Sequence, residues 1–256
     1  MAAIQFHQFP YMSDNYGVLL HDAEAGITAC VDCGDADAVL QALASTGWKL
    51  DQIFITHHHA DHTAGLDNLK ASTGAMVIGP GNSSSSLAGI DKSVADGDSF
   101  QFGNHQVNVI HTPGHTMDML NYYLPEANVV FTGDTLFAMG CGRLFEGDAE
   151  TMFNSLAKIR QLPAETIIYC SHEYTETNGS FAESIDPANA DLKTRMQNVR
   201  ELRAQNKPTI PTTLAQELAT NPFLRATDEG IRKHLGMESA SDVEVFAELR
   251  SRRDNH

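Results

Sequence analysis

Residues 56–62 read Thr-His-His-His-Ala-Asp-His, and the histidines directly follow an apolar strand at 53–56. His57, His59, Asp61 and His62 are metal-ligand types packed within six residues. Such a density of imidazole and carboxylate has little purpose without a cation. Two apart in an extended segment, His57 and His59 point to the same side, while His58 points away and reads as structural. Asp61 and His62 come next, at a helix start, and can face a neighbouring point. A catalytic zinc takes about four ligands and keeps one of those positions open. Four protein ligands in one loop, with further candidates downstream, therefore suit two metals better than one. The expectation is a metal-dependent hydrolase whose site lies at strand ends, where α/β folds tend to place sites.

Three later positions share that placement. His115 closes His-Thr-Pro-Gly-His at 111–115, where Pro-Gly forces a turn after a strand. Asp134 closes Phe-Thr-Gly-Asp at 131–134, and His172 closes Tyr-Cys-Ser-His at 169–172. Each is a polar residue released from an apolar strand, so all can converge on one edge of a sandwich. Of the twelve histidines, His7, His21, His105, His111, His234 and His256 read as hydrogen-bonded or surface residues.

Short runs rich in β-branched and aromatic residues predict strands at 4–9, 16–20, 27–33, 52–56, 76–78, 99–102, 106–111, 119–124, 128–131 and 166–170. Helical patterning appears at 39–43 and 150–160. Residues 82–86, Asn-Ser-Ser-Ser-Ser, read as a polar loop. After residue 172 the pattern turns helical, at 181–206, 213–220, 227–235 and 241–252, with breaks at Pro208, Pro211 and Asn221-Pro222. The expected organisation is a mixed α/β domain over 1–172 and a helical domain over 173–256.

The net charge of −16 argues against a nucleic-acid or anionic-membrane partner. Its distribution says more. Residues 1–192 hold 6 Lys/Arg against 24 Asp/Glu, whereas 193–256 hold 11 against 9. A basic C-terminal end on an acidic chain reads either as helix-surface charge or as a local clamp for an anionic ligand. No basic segment followed by an apolar run opens the chain, and no apolar stretch approaches the roughly 20 residues of a membrane span, so a cytoplasmic protein is expected. Cys30 and Cys33 have the CxxC spacing without a second pair, and read as buried free thiols at a strand end.

The His-x-His-x-Asp-His run, His115 after Pro-Gly, Asp134 in Gly-Asp-Thr and His172 together resemble the metallo-β-lactamase superfamily. That resemblance implies a four-layer αββα sandwich. Asp14-Asn15-Tyr16, Gly140-Cys-Gly-Arg143 with Glu146-Gly147, and the helical tail carrying Asn221-Pro-Phe-Leu-Arg225 resemble one branch, the hydroxyacylglutathione hydrolases (glyoxalase II). The resemblance covers nearly the whole chain. It implies that His57, His59 and His115 hold one metal, that Asp61, His62 and His172 hold a second, and that Asp134 bridges them. A carboxylate has two oxygens and can serve two cations, which agrees with the bridging role. It further implies that Arg143, Phe145, Tyr174, Arg250 and Arg253 bind the glutathione part of a thioester. Arg143 stands where Lys is familiar in the family, and Phe145 where Tyr is familiar.

The implied activity is hydrolysis of S-(2-hydroxyacyl)glutathione thioesters such as S-D-lactoylglutathione, in methylglyoxal detoxification. A hydroxide bridging two divalent metals, most commonly zinc with iron and manganese also suited, is the expected nucleophile. Asp61 and Asp134 are the expected catalytic carboxylates, and the implied oligomeric state is a monomer. The alternatives are a persulfide dioxygenase of the same superfamily, with one iron on two His and one Asp, and a non-enzymatic metal-binding module. The first would leave Asp61, His62 and His172 without a metal. The second would be expected to show an eroded ligand set.

Overall fold

The structure is a computed structural model that describes residues 4–81 and 87–256, so the polar segment 82–86 lies outside the described residues. The chain divides into two compact units. One comprises Met1–His111 with Thr116–Gly133, and the other Thr112–His115 with Asp134–His256.

The first unit is built on two sheets. Strands β1 (Gln5–Tyr11), β2 (Asn15–Asp22), β3 (Ile27–Val31), β4 (Gln52–Phe54), β5 (Met76–Pro80) and β6 (Lys92–Val94) lie side by side in chain order. β1, β2 and β3 pair antiparallel, and β3 to β6 run parallel. Parallel neighbours need crossovers. The first is α1 (Ala36–Thr46); α2 (Ala60–Thr63) and α3 (Leu66–Thr73) supply the second. Strands β7 (Ser99–Phe102), β8 (His105–His111), β9 (Leu120–Leu124) and β10 (Val129–Gly133) form an antiparallel meander.

Alternation along Ile53-Phe54-Ile55 shows how these layers meet, because successive strand side chains point to opposite faces. Ile53 and Ile55 pack with Val39 and Leu43 of α1 and Leu66 and Leu69 of α3. Phe54 points the other way, into an aromatic layer shared with the second sheet. Its ring centroid lies 5.0 Å from Phe100 and 5.4 Å from Tyr122. Tyr122 is fully buried, and its hydroxyl donates to the Ile55 carbonyl at 2.6 Å. That bond fixes the backbone just before Thr56, where the histidine run begins.

The second unit starts from a small hairpin, β11 (Leu136–Phe137) with β12 (Gly140–Cys141). Helix α4 (Ala149–Ile159) follows, capped by the Asp148 carboxylate, which accepts from Thr151 N. Strand β13 (Ile167–Cys170) pairs antiparallel with β14 (Thr212–Thr213). Around them lie α5 (Thr175–Ile185), α6 (Ala190–Ala204), α7 (Leu214–Thr220), α8 (Glu229–Leu235) and α9 (Asp242–Asp254). Phe223 and Phe246 pack ring to ring, as do Phe153 and Phe246.

The single helix expected over 181–206 is two. Pro187 has no N–H to continue the helix begun at Thr175, and Asn189 caps the next one by accepting from Leu192 N. The strand expected over 27–33 stops at Val31, because Asp32 adopts a left-handed φ of +59°. Helix α3 and strand β6 had no counterpart in the sequence reading, and α1 is longer than the helix expected at 39–43. The four cysteines are all buried and free. Burial pushes the thiols of Cys33 and Cys170 up to about 12. Among the described residues, no helix is long and apolar enough to cross a membrane.

Tyr122→Phe tests the link between the aromatic layer and the site's approach strand. Deleting the hydroxyl leaves the Ile55 carbonyl without that donor, at a cost of about 1–2 kcal/mol. The urea midpoint should fall by that free energy divided by the m-value, with the m-value itself unchanged; an unaltered midpoint would deny the bond any energetic role.

Candidate metal centre

The backbone of β4 delivers Thr56 into a pocket of polar contacts set up by Asp32. Asp32 is buried, and its Oδ1 accepts from Thr56 N at 2.8 Å. Its Oδ2 accepts from the Thr56 hydroxyl at 2.9 Å and lies 2.7 Å from His62 Nδ1. The Thr56 hydroxyl, having donated to Asp32, is left to accept from His57 Nδ1, 3.0 Å away. His115 Nδ1 lies 2.9 Å from the Arg143 carbonyl. A carboxylate and a carbonyl have no proton to offer, so each ring facing one carries its proton on Nδ1 and keeps its Nε2 lone pair bare.

The Nε2 atoms point at carboxylates. His115 Nε2 and His172 Nε2 lie 3.3 and 3.4 Å from one oxygen, Oδ2 of Asp134. His62 Nε2 lies 3.3 Å from Asp61 Oδ2. A hydrogen bond between N–H and O spans about 2.7–3.2 Å. Two rings converging on one oxygen beyond that range are spaced as ligands around an ion.

Three groups of donor atoms lie within 4.8 Å of one another: His57, His59 and His115; His57, His62 and Asp134; Asp61, His62 and His172. All seven residues expected from the sequence fall in these groups. The first and third contain the same residues that the resemblance assigns to separate metals. Nitrogen and carboxylate donors of this kind suit zinc, iron or manganese. The donor set fits a divalent metal site.

Local structure explains why these side chains hold still. Asn15 Nδ2 donates to Asp61 Oδ2 at 3.0 Å, and the Tyr11 hydroxyl donates to the Asp61 carbonyl at 2.9 Å. Gly34 lies so close to that carbonyl that a Cβ would sit 1.8 Å from the oxygen. His58 turns away, and its Nδ1 lies 3.0 Å from both carboxylate oxygens of Asp118. The His172 ring is stacked on Tyr174 at 4.7 Å and 2°, with Phe137 edge-on to both.

The five residues expected to bind substrate differ among themselves. Phe145 is 62% exposed and Tyr174 36%. Phe145 stands edge-on to His115 at 5.2 Å. Arg143 is exposed, with Nε 3.8 Å from Asp254 Oδ1. Arg253 donates to Asn178 Oδ1, and burial, then the charges of Arg250 and Arg143, lower its pKa. Arg250 departs from the other four. It is 5% exposed, donates to the Cys141 carbonyl at 2.9 Å and to Asp254, and lies over the Phe223 ring.

Sequence reasoning passed over Asp32. The signal was there: like Asp134 and His172, it is a polar residue at the end of an apolar strand.

A metallo-β-lactamase fold carrying a largely buried cluster of histidines and aspartates defines the class. The model of the metallo-beta-lactamase superfamily matches residues 21–172, and that of the hydroxyacylglutathione hydrolase C-terminus matches 173–256. The chain is 54% identical over 251 residues to a hydroxyacylglutathione hydrolase of Brucella anthropi, covering 98% of this chain and 96% of the relative. It is 53% identical to that of Brucella ovis, covering 98% of each. Among solved structures, ETHE1 from Myxococcus xanthus aligns with a TM-score of 0.69 at 27% identity, covering 96% of this chain and 90% of that one. The chain belongs to the hydroxyacylglutathione hydrolase family of the metallo-β-lactamase superfamily.

Asp32→Asn isolates the carboxylate behind His62. Asn tolerates the left-handed backbone, so the loop survives while the acceptor-only character is lost. Metal affinity, measured by competition with a chelating dye, should drop by about 10–100-fold. Affinity equal to the parent's would show that Asp32 does not aim the ring.

Proposed function

We propose that the chain hydrolyses S-(2-hydroxyacyl)glutathione thioesters, S-D-lactoylglutathione among them, at a centre of two divalent metals, with zinc the preferred ion. The full-length likeness carries this reading. It runs through the cluster-bearing part and through the C-terminal part that holds Arg250 and Arg253. The reading assigns metal chemistry to residues 1–172 and glutathione binding to 173–256. The free cysteines accord with a reducing cytoplasm.

His57, His59 and His115 would hold one ion, Asp61, His62 and His172 the other, and Asp134 would serve both. Bound there, divalent ions supply Lewis acidity and lower the pKa of water toward neutrality. The chain's own residues do the rest. Asp61, steadied by Asn15, presents an oxygen that can accept a proton from attacking water. The new C–O bond forms at the thioester carbonyl and the C–S bond breaks. The sulfur leaves as a thiolate whose conjugate thiol has a pKa of about 8.5, so no strong general acid is required of the protein. Arg143 and Arg253 offer positive charge to the carboxylates of glutathione, with Phe145 and Tyr174 as apolar walls. Arg250, buried behind them, adds its charge and steadies the Cys141 carbonyl. Phe145 has no hydroxyl to offer, so recognition there is by packing.

Two measurements test this. Asp134→Ala should lose bound metal, by elemental analysis, together with thioester hydrolysis; full turnover in that variant rules the shared-carboxylate centre out. Replacing Arg143 and Arg253 with Ala should raise KM on the order of tenfold while kcat changes little, because they would supply binding rather than chemistry. A fall confined to kcat would place them in the chemical step instead.

A further inference from the structure

We propose that Glu217 is a positioning residue whose carboxylate locks the β11–β12 hairpin, and through it both Asp134 and Arg143, in the geometry that the metal cluster requires. This rests on the metal reading above.

The hairpin needs outside support. Its two strands have two residues each, too few to hold a shape alone. Its turn places Met139 at a left-handed φ of +53°, a conformation that costs energy for any residue with a Cβ. Met139 is nevertheless an anchor, fully buried in a cluster with Ala182, Leu192 and Met196. Its N–H donates to Glu217 Oε2 at 2.8 Å.

Glu217 has no exposed surface. Besides Met139 N, three donors reach it. Asn221 Nδ2 meets Oε2 at 3.1 Å, while the Thr212 hydroxyl and the Arg195 guanidinium meet Oε1. Four donors on two oxygens need a group with no hydrogen of its own, and only an ionised carboxylate answers. An amide at this position would turn its NH2 toward two of the four. Asn221, one helical turn on, carries the grip further: the two N–H bonds of that same Nδ2 are shared among Glu217 Oε2, the Phe137 carbonyl at 3.2 Å and the Gly140 carbonyl at 3.0 Å. Residues 137, 139 and 140 are therefore all held by side chains of α7 and its cap.

Both ends of the hairpin meet the centre. Asp134 precedes Leu136 by two residues. On the far side Gly142 N donates to the Thr135 carbonyl at 3.2 Å, and the next carbonyl, of Arg143, is the one that faces His115 Nδ1. A hairpin free to shift would move the carboxylate shared by His115 and His172 and release the His115 ring together. The helical region then does more than offer charge to a substrate, because one of its buried carboxylates aims the ligands.

The test compares Glu217→Gln and Asn221→Ala with the parent, as full-length apo proteins titrated with cobalt(II) and followed by its visible absorption. Folded fraction is taken from circular dichroism at the titration temperature. Both variants should bind cobalt about tenfold or more weakly per folded chain. A role in stability alone would lower the melting temperature and leave affinity per folded chain unchanged, and that result overturns the proposal. If Glu217→Gln does not fold, Asn221→Ala decides on the same criterion. Asp134→Ala run alongside separates the two readings: full cobalt binding in that variant would sink the metal assignment itself. Loss there with parental affinity in the α7 variants would sink only the role of Glu217.

Discussion

Everything at the centre depends on imidazoles gripped by their far nitrogens. A ring that must present one lone pair has a second nitrogen to anchor, and the partner there decides which atom carries the proton. His62 is anchored by a carboxylate, His57 by a hydroxyl already committed to that same carboxylate, and His115 by a backbone carbonyl. Asp32 thus reaches two of the rings. A buried carboxylate is costly unless its oxygens are filled, and here Thr56 N–H, Thr56 O–H and His62 fill them. The position of Thr56 follows from β4, with Ile53 and Ile55 facing the helices and Phe54 facing the aromatic layer. The strand's alternation therefore extends, through one carboxylate, to the direction in which two lone pairs point.

In the second compact unit the same principle appears with donors and acceptors exchanged. The segment from Asp134 to Phe145 is mostly irregular, and its carbonyls need outside donors. Asn221, Asn178 and Arg250 bring N–H groups to Phe137, Ala138, Gly140 and Cys141. Glu217 brings an acceptor, for the strained Met139. Burial of Arg250 is explained by this need: a guanidinium with a fixed fork of donors suits a carbonyl beside a carboxylate.

The clustered donors were legible in the sequence because holding a cation demands particular side chains, and few arrangements place His and Asp so densely after an apolar strand. The strands were legible for the same reason that Phe54 and Ile55 part company, since their alternation is written in residue type. Asp32 could have been found by the rule that found Asp134. Glu217 could not. It sits in an ordinary amphipathic helix, where a glutamate reads as solvated surface, and only the tertiary structure places four donors around it. The break at Pro187 was open to reading, since a proline cannot continue a helix, but the sequence reading ran one helix across it. Arg250 and Arg253, three apart on one helix, look alike in sequence. One faces Cys141 from a buried position while the other, half-buried, bonds the buried amide of Asn178, a difference that depends on what α9 packs against.

The cysteines gain meaning from the proposed product. Hydrolysis of a glutathione thioester liberates a free thiol at every turnover, beside an enzyme that carries four thiols of its own. Exchange chemistry runs through thiolates within reach of an attacking sulfur. All four side chains are buried and held in their protonated form, two of them with pKa pushed up to about 12. Oxidised glutathione would find no partner for a mixed disulfide on the folded chain. The catalyst is insulated from the redox chemistry of what it releases.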